Sequence, residues 1–258
     1  MADATVAIAN KPAWVDLSST DAAGSRDFYS KVFGWNIQVN PDPQYGGYAL
    51  AKIGGQDVAG VGPTQSPDQP TAWQLYVGTE DAEALGRKIE AAGGKVVAPP
   101  FDVGDQGRMA VCTDPTGVFF AVWQAGKHLG AELVNEPGSL TWNELTTTDM
   151  AAAKAFYPAV LGVTIRDVSM GEGMTYTLFE VDDRAVAGGM QVDPAGMPTQ
   201  WSVYFAVDDC DAVHAKAVEL GATPVMGPED APPGRFAILT DPQGGIFSII
   251  RNNPDFSI

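Results

Sequence analysis

The stretch AWVDLSSTDAAGSRDFY, residues 13–29, has a close copy, TWNELTTTDMAAAKAFY, at residues 141–157. Each copy begins with a tryptophan that stands two residues before an acid, as Trp14 stands before Asp16. The tryptophan of the second copy, Trp142, lies 142 − 14 = 128 positions further along the chain. An internal repeat of this kind predicts two modules that share one architecture.

The same offset continues downstream of these two stretches. It relates Asp16 to Glu144, Tyr48 to Tyr176, Gly60 to Gly188, Trp73 to Trp201, and Tyr76 to Tyr204. Near the end of each copy, GRMAVCTDPTGVFF from Gly107 matches GRFAILTDPQGGIF from Gly234, now at an offset of 234 − 107 = 127. One residue is therefore lost in the second copy, and the repeat covers almost the whole of each module.

The stretch between the copies, AGKHLGAELVNEPGS at residues 125–139, matches nothing else in the chain. We therefore predict module 1 at residues 9–124, a linker at residues 125–139, and module 2 at residues 140–252. Two modules of this size are reasonable for 258 residues that are 45% hydrophobic, because each can bury a core of its own.

Within each module, a strand, a helix and three further strands are predicted twice. In the first unit, the stretch from Trp14 to Ser19 predicts a strand, Asp21 predicts a helix N-cap, and Gly34 predicts the end of the helix. A second unit begins with a strand at Trp73 and ends with a turn at residues 114–117 before the last strand. The fold class is therefore α+β, with four βαβββ units in the chain.

The composition of the chain indicates which partners and which cellular location to expect. The chain has 32 acidic and 15 basic residues, a net charge of −17, which repels nucleic acid phosphates and anionic lipids. No apolar stretch approaches the roughly 20 residues that span a bilayer, and the N-terminus lacks the pattern of a secretion signal. Cys112 and Cys210 have neither disulfide-framework nor metal-site spacing. We expect a cytoplasmic protein without nucleic acid or membrane partners.

The strand that leads to an aspartate-capped helix, the FY pair, and the DPxG turn together resemble the vicinal oxygen chelate superfamily of glyoxalases, ring-cleaving dioxygenases and bleomycin-resistance proteins. The resemblance covers residues 10–124 and 138–252, and the opening of each copy is similar to that of tandem two-module members. It implies two glyoxalase-like modules, in each of which paired βαβββ units form curved mixed or antiparallel sheets around a cup.

The resemblance also implies where catalytic members hold a divalent metal. Its first-strand position falls on Trp14 and Trp142, and its last-strand position falls on Ala121 and Ser248. None of these side chains is a usual ligand for a first-row transition metal. An iron site of two histidines and one carboxylate would need His128 and His214 together, but His128 lies in the linker and His214 on the helix that begins near Asp209. We therefore expect no metal and no cofactor; a hard cation held by Asp16 and Glu144 is the alternative.

Side chains of a strand alternate between its two faces, so the tryptophan and the acid of each copy point the same way. If Val15 and Leu17 lie beneath the helix, Trp14 and Asp16 face the concave side. The predicted ligand-binding residues are Trp14, Asp16, Tyr48, Phe119 and Trp123 in module 1, and Trp142, Glu144, Tyr176 and Ser248 in module 2.

Two structural interpretations compete with ligand binding at these positions. The aromatic rings could fill the cups as ordinary core, which is the favoured interpretation for Trp73 and Trp201. A buried carboxylate also needs a partner, because an unpaired one costs several kcal/mol. Arg108 is a candidate partner for Asp16, and Arg235 is the corresponding candidate for Glu144 in module 2.

Two functions from different classes follow. The first is a metal-independent protein that binds an aromatic small molecule, such as a natural product or antibiotic, and sequesters it, as the resemblance to bleomycin-resistance proteins implies. The second is a metal-free hydroxylase-, lyase- or isomerase-like enzyme that uses Asp16 or Glu144 as an acid/base on a polycyclic or carbonyl substrate. Two equivalent Trp-x-acid units favour the first, and either a monomer or a homodimer is compatible with it.

Overall fold

A computed structural model describes residues 10–171, 173–193, 195 and 198–256, so the predicted start of module 1 at residue 9 lies outside the described residues. Module 1 contains β1 Pro12–Ser19, α1 Ala22–Phe33, β2 Asn36–Val39, β3 Ala49–Ile53, β4 Gln56–Pro63, β5 Ala72–Thr79, α2 Ala82–Ala91, β6 Lys95–Val103, β7 Gly107–Thr113 and β8 Phe119–Ala125. Module 2 contains β9 Leu140–Thr147, α3 Met150–Leu161, β10 Thr164–Gly171, β11 Met174–Val181, β12 Arg184–Gln191, β13 Gln200–Ala206, α4 Cys210–Glu219, β14 Thr223–Ala231, β15 Gly234–Thr240 and β16 Ile246–Asn252.

Each module is built on one eight-stranded mixed sheet. The strand order in module 1 is β2-β3-β4-β1-β5-β8-β7-β6, and the order in module 2 is the same with the corresponding strands. The two βαβββ units of a module meet where β1 pairs antiparallel with β5, and each first strand pairs parallel with the last strand of its own unit. The α+β fold class and the tandem βαβββ organisation are confirmed.

The helices begin and end where the repeat predicts. The Asp21 carboxylate accepts a hydrogen bond from the Gly24 amide at 3.0 Å and so caps the first turn of α1. Helix α1 ends at Gly34, whose φ of 73° lies in the left-handed region that favours glycine. Asp149 and Gly162 do the same for α3. Within the described residues, no helix is long and apolar enough to cross a membrane.

A hydrophobic core joins the two modules. Val15 and Leu17 of β1 are fully buried beneath α1, as the alternation predicts. From the other module, Phe205 packs against Phe33 with ring centroids 5.0 Å apart. Since the core side of each sheet faces the helices and the partner module, the opposite side of each sheet is left for the cup.

Two reciprocal polar networks cross the interface between the modules. In the first, the Tyr29 hydroxyl of α1 donates to Asp241 of module 2 at 2.8 Å and accepts from the Trp73 indole N–H at 3.0 Å. All three side chains are buried. The FY pair, the DPxG aspartate and the repeated tryptophan therefore meet at one point, and Trp73 belongs to the core.

The second network has the same parts with the modules exchanged. The Tyr157 hydroxyl of α3 donates to Asp114 of module 1 at 3.1 Å, and the Trp201 indole N–H donates to the Tyr157 hydroxyl at 3.0 Å. Motifs that are conspicuous in the repeat thus hold the two modules together. Both tryptophans, Trp73 and Trp201, are confirmed as core residues.

Candidate functional site

The concave face of the module 1 sheet, called cup 1, carries a chain of hydrogen bonds from an indole to a carboxylate. The Trp14 indole N–H donates to the Tyr48 hydroxyl at 3.0 Å, and the Tyr48 hydroxyl donates to Asp16 Oδ2 at 3.1 Å. The Tyr76 hydroxyl donates to the same carboxylate oxygen at 2.9 Å. The Asp16 carboxylate is therefore paired with two phenols.

The corresponding face of module 2, called cup 2, repeats this arrangement. The Trp142 indole N–H donates to the Tyr176 hydroxyl at 2.9 Å, and that hydroxyl donates to Glu144 Oε2 at 2.8 Å. The Tyr204 hydroxyl donates to Glu144 Oε1 at 3.1 Å. Because glutamate is one methylene longer than aspartate, each tyrosine of cup 2 has its own carboxylate oxygen.

The strand register brings these side chains together. Trp14 lies opposite Tyr76 across the antiparallel β1–β5 pair, and Asp16 lies opposite Gly60 across the parallel β1–β4 pair. The Tyr48 ring crosses directly over Gly60, where any Cβ would overlap the tyrosine hydroxyl. Gly188 gives Tyr176 the same space in module 2. The repeated glycine is therefore a space requirement of the phenol beside the acid.

We expect Gly60→Ala to lower the free energy of unfolding by about 2–3 kcal/mol, because the new methyl group must displace the partly buried, hydrogen-bonded Tyr48. Chemical denaturation of the purified variant measures this. The matched control is Gly86→Ala within α2, where a Cβ would meet Val96 at an ordinary 3.5 Å. The control should gain about 0.5–1 kcal/mol from reduced backbone entropy. Equal effects of the two substitutions would contradict the space requirement.

The predicted ion pairs are wrong. Arg108 binds Asp102 at 2.6 Å and the α2 residue Glu83 at 2.7 Å, so its side chain lies on the helix side of the sheet. Arg235 likewise binds Asp211 of α4 and Asp230 of β14. The tyrosine hydroxyls take the place of the arginines, since they are the donors that reach the carboxylates from inside the cups.

Burial dominates the electrostatics of both carboxylates. Burial raises the pKa of Asp16 from 3.8 to about 6, although the hydrogen bonds from Tyr76 and Tyr48 act in the opposite direction. Burial also raises the pKa of Glu144. The pKa values of the tyrosines are raised by burial and by the neighbouring carboxylates, so the phenols stay protonated and donate. The site therefore offers one titratable carboxyl and two neutral donors in each cup.

The remaining predicted site residues differ in their placement. Trp123 is buried beside Tyr76, with ring centroids 6.3 Å apart, and packs in the cluster around Trp14. Phe119, at the first position of β8, is 54% exposed and is not among the residues packed around Trp14. The strand alternation identifies its face but not its distance from the centre of the sheet.

Ser248 lies opposite Tyr204 across the parallel β13–β16 pair, where module 1 has Ala121. Its hydroxyl is buried and lacks a partner in good hydrogen-bond geometry among the described residues. Its proximity to Tyr204 partly opposes the rise of the Tyr204 pKa. Cup 2 therefore has a hydroxyl group at the position where cup 1 has the methyl group of Ala121.

Sequence reasoning missed three residues. Tyr76 and Tyr204, which complete the carboxylate contacts, match at the 128-residue offset and lie on the cup face of their strands, so the signal was present. His128 carried no such signal, because the linker has no repeat. Its ring packs edge-on against Trp14, with centroids 4.5 Å apart.

The residues of the cups do not fit a transition-metal site. Among the described residues, no group of three or more His, Cys, Asp or Glu side chains could hold an ion. The neighbours of Asp16 are phenols that direct their protons at the carboxylate. A single carboxylate with two such donors also falls short of the six to eight oxygen ligands that Ca²⁺ takes.

Comparison with known proteins agrees with this architecture. The family model of the Glyoxalase/Bleomycin resistance protein/Dioxygenase superfamily matches residues 11–122 and again residues 127–248. CFP32 of Mycobacterium tuberculosis, whose name assigns it provisionally to the glyoxylases, is 44% identical over 248 residues, which cover 94% of this chain and 95% of the relative. The anthracycline biosynthesis protein DnrV of Streptomyces peucetius is 43% identical over 255 residues, which cover 93% and 92%.

A similar fold occurs in solved structures of low sequence identity. The Mn(II)-bound glyoxalase of Novosphingobium aromaticivorans aligns with a TM-score of 0.66 at 19% identity, covering 96% of this chain and 83% of the other. The 2,3-dioxygenase LapB of Pseudomonas sp. KL28 aligns with a TM-score of 0.67 at 13% identity, covering 96% and 95%. With both modules matched by the family model, this chain belongs to the Glyoxalase/Bleomycin resistance protein/Dioxygenase superfamily.

Proposed function

We propose that this protein binds an aromatic small molecule on the concave side of its sheets, without a transition metal, and sequesters it. The observation that carries this proposal is the duplicated chain from an indole through a phenol to a carboxylate and a second phenol. Aromatic walls with a few convergent polar groups are typical of small-molecule sites.

The charge of the protein favours a particular class of ligand. A net charge of −17 and a carboxylate in each cup disfavour anionic molecules and favour neutral or cationic ones. Indole and phenol faces attract planar rings and cations. The best match is a planar aromatic compound that also carries hydroxyl or amino donors.

The names of two relatives support a polycyclic ligand. DnrV of Streptomyces peucetius, at 43% identity, and DauV of Streptomyces sp. strain C5, at 42% identity, are both named anthracycline biosynthesis proteins. An anthracycline is a polycyclic aromatic compound, which suits a cup lined by rings. We extend this chemical class, polycyclic aromatics with hydroxyl or amino groups, to the ligand of this chain.

The electrostatics also favour a second candidate function, a metal-free enzyme. A carboxyl with a pKa of about 6, such as Asp16, can give and take a proton near neutral pH. Burial raises the pKa of Glu144 as well. Either residue would then act as the acid/base in a hydroxylase-, lyase- or isomerase-like reaction on a polycyclic or carbonyl substrate.

The net negative charge and the two free cysteines support a proposal for the location and the partners of the protein. Both cysteines, Cys112 and Cys210, are free and buried, which suits a reducing compartment. We therefore assign the protein to the cytoplasm, as a monomer or a homodimer, with no nucleic acid or membrane partner.

Titration of the purified protein with a panel of polycyclic phenols, quinones and aromatic amines should give micromolar or tighter binding, measured by tryptophan fluorescence and calorimetry. Mass spectrometry of the recovered ligand separates the two candidates: an unchanged ligand supports sequestration, whereas a changed one supports the enzyme. Elemental analysis of the same sample should find no stoichiometric transition metal. Stoichiometric zinc, iron, nickel or manganese would overturn the metal-independent site.

A further inference from the structure

The two cups differ in their access to solvent. In cup 1, Trp14 is 3% exposed and Asp16 is 6% exposed. In cup 2, Trp142 and Glu144 are only partly buried. The chain has six tryptophans, all within the described residues, and Trp142 is the one that is not buried. The tryptophan and the acid of cup 2 are thus more exposed than those of cup 1.

The linker packs against the tryptophan of cup 1. From it, His128 packs its ring against Trp14, while its carbonyl oxygen accepts a hydrogen bond from the Trp123 indole N–H at 2.9 Å. Further along the linker, Ala131 is buried in the same cluster and Val134 packs against it. Linker side chains therefore occupy the space over Trp14 that a ligand would need.

Main-chain hydrogen bonds fix the linker in this position. The Ala131 amide donates to the Ala13 carbonyl at 2.8 Å, and the Glu132 amide donates to the Asp57 carbonyl at 2.8 Å. The Asp57 amide in turn donates to the Glu132 carboxylate at 2.8 Å. At Gly130, with a φ of 112°, any Cβ would overlap the Ala13 carbonyl oxygen. The linker is thus built into the rim of cup 1.

The segment that follows the last strand of module 2 takes a different path. Its first contact is equivalent, since the Asn253 amide donates to the Pro233 carbonyl at 2.8 Å as the Gly126 amide donates to the Gln106 carbonyl at 2.9 Å. Residues 253–256 then stay exposed at that edge of the sheet. Within the part of the chain that the structure describes, no aromatic ring packs on Trp142 as His128 packs on Trp14.

We propose that the ligand binds in cup 2 alone, over Trp142, and that the linker permanently closes cup 1. This inference rests on the proposed function and assigns it to one module. Glu144, Tyr204 and Ser248 are the residues that would set specificity, because they supply the polar atoms on the concave face. They favour an aromatic ligand with a hydroxyl or amino group directed at Glu144. The edge-on packing of His128 on Trp14 shows a geometry in which a ligand ring can contact the equivalent Trp142 indole.

Hydroxyl-radical footprinting of the ligand-free protein tests the access of the two cups. Trp142 should be oxidised at least tenfold faster than Trp14, as measured by peptide mass spectrometry. His128→Ala should raise the oxidation of Trp14 and leave that of Trp142 unchanged. Oxidation of Trp14 at the rate of Trp142 in the unmodified chain would overturn the closure of cup 1, whether or not any ligand binds.

Calorimetry with a polycyclic aromatic amine as the probe tests which cup it occupies. One molecule should bind per chain, and Glu144→Gln should weaken binding at least tenfold. The control substitution Met109→Ala, in the cluster around Trp14 of cup 1, should weaken it less than twofold, because the linker covers that cluster. A stoichiometry of two, or equal losses in both variants, would overturn the single site. No binding by the unmodified chain would instead reject the proposed function, which the footprinting result does not depend on.

Discussion

Replacing Asp241 by alanine is expected to lower the free energy of unfolding by about 3–5 kcal/mol, because three donors lose a buried acceptor together. Asp241 accepts from the Tyr29 hydroxyl at 2.8 Å and from the amides of Gln243 and Gly245 at 2.9 and 2.8 Å. The first contact crosses between modules, and the other two form the DPxG turn. Denaturation in urea, followed by fluorescence and by circular dichroism, measures the loss.

Two further variants separate the contributions of Asp241. Tyr29→Phe removes the contact between the modules and the acceptor of the Trp73 indole N–H, and should cost about 2–3 kcal/mol. Asp27→Ala removes an exposed pair with Lys31 and should change the free energy of unfolding by less than about 0.5 kcal/mol. If Asp241→Ala were no more destabilising than Asp27→Ala, the buried network would not hold the modules together.

The second large effect is on the dependence of stability on pH. Between pH 4 and pH 7, Asp16 alone should lower the free energy of unfolding by about 2–2.5 kcal/mol. The pKa of Asp16 is about 6 in the folded protein, whereas the ordinary value of 3.8 applies to the unfolded chain. In this range the unfolded chain has released the proton that the folded chain still holds, so stability falls as the pH rises. Well above pH 6 both states are ionised, and the full loss is reached.

The comparison with Asp16→Asn isolates this contribution from the other acids. The stability of the variant relative to the unmodified protein should rise by about 2–2.5 kcal/mol from pH 4 to pH 7, measured by urea denaturation at each pH. Glu144→Gln should show a change of the same sign, because burial raises the pKa of Glu144 too. A difference that stays constant with pH would mean that the Asp16 carboxyl keeps its ordinary pKa.

Much of the fold could be predicted because local signals and the repeat agree. The capping aspartate Asp21, the terminating glycine Gly34 and the buried pair Val15 and Leu17 all predict the same strand and helix. The second copy repeats these signals with different residues, which identifies them as structural. The packing of the two modules against each other could not be predicted, because it depends on contacts such as Tyr29 to Asp241 between distant parts of the chain.

The candidate site could be predicted only in part. Strand alternation correctly grouped Trp14 with Asp16, because the face of a side chain follows from its position in the strand. It could not identify the partner of the acid, which depends on strand register and on side-chain length. The sequence therefore indicates Arg108 as the partner of Asp16, where the structure has Tyr76. The role of His128 was out of reach, because an irregular segment has no period from which its path can be predicted.

The two tyrosine–aspartate hydrogen bonds between the modules determine what would happen if one module were produced alone. Tyr29 completes the turn at Asp241, and Tyr157 completes the turn at Asp114. An excised half would therefore present an apolar helical surface and a buried acid deprived of its phenol. A designer who wants a stand-alone half must redesign that surface, or let two identical halves satisfy each other. Because both modules are in one polypeptide, each is always made together with the one partner whose tyrosine its aspartate needs.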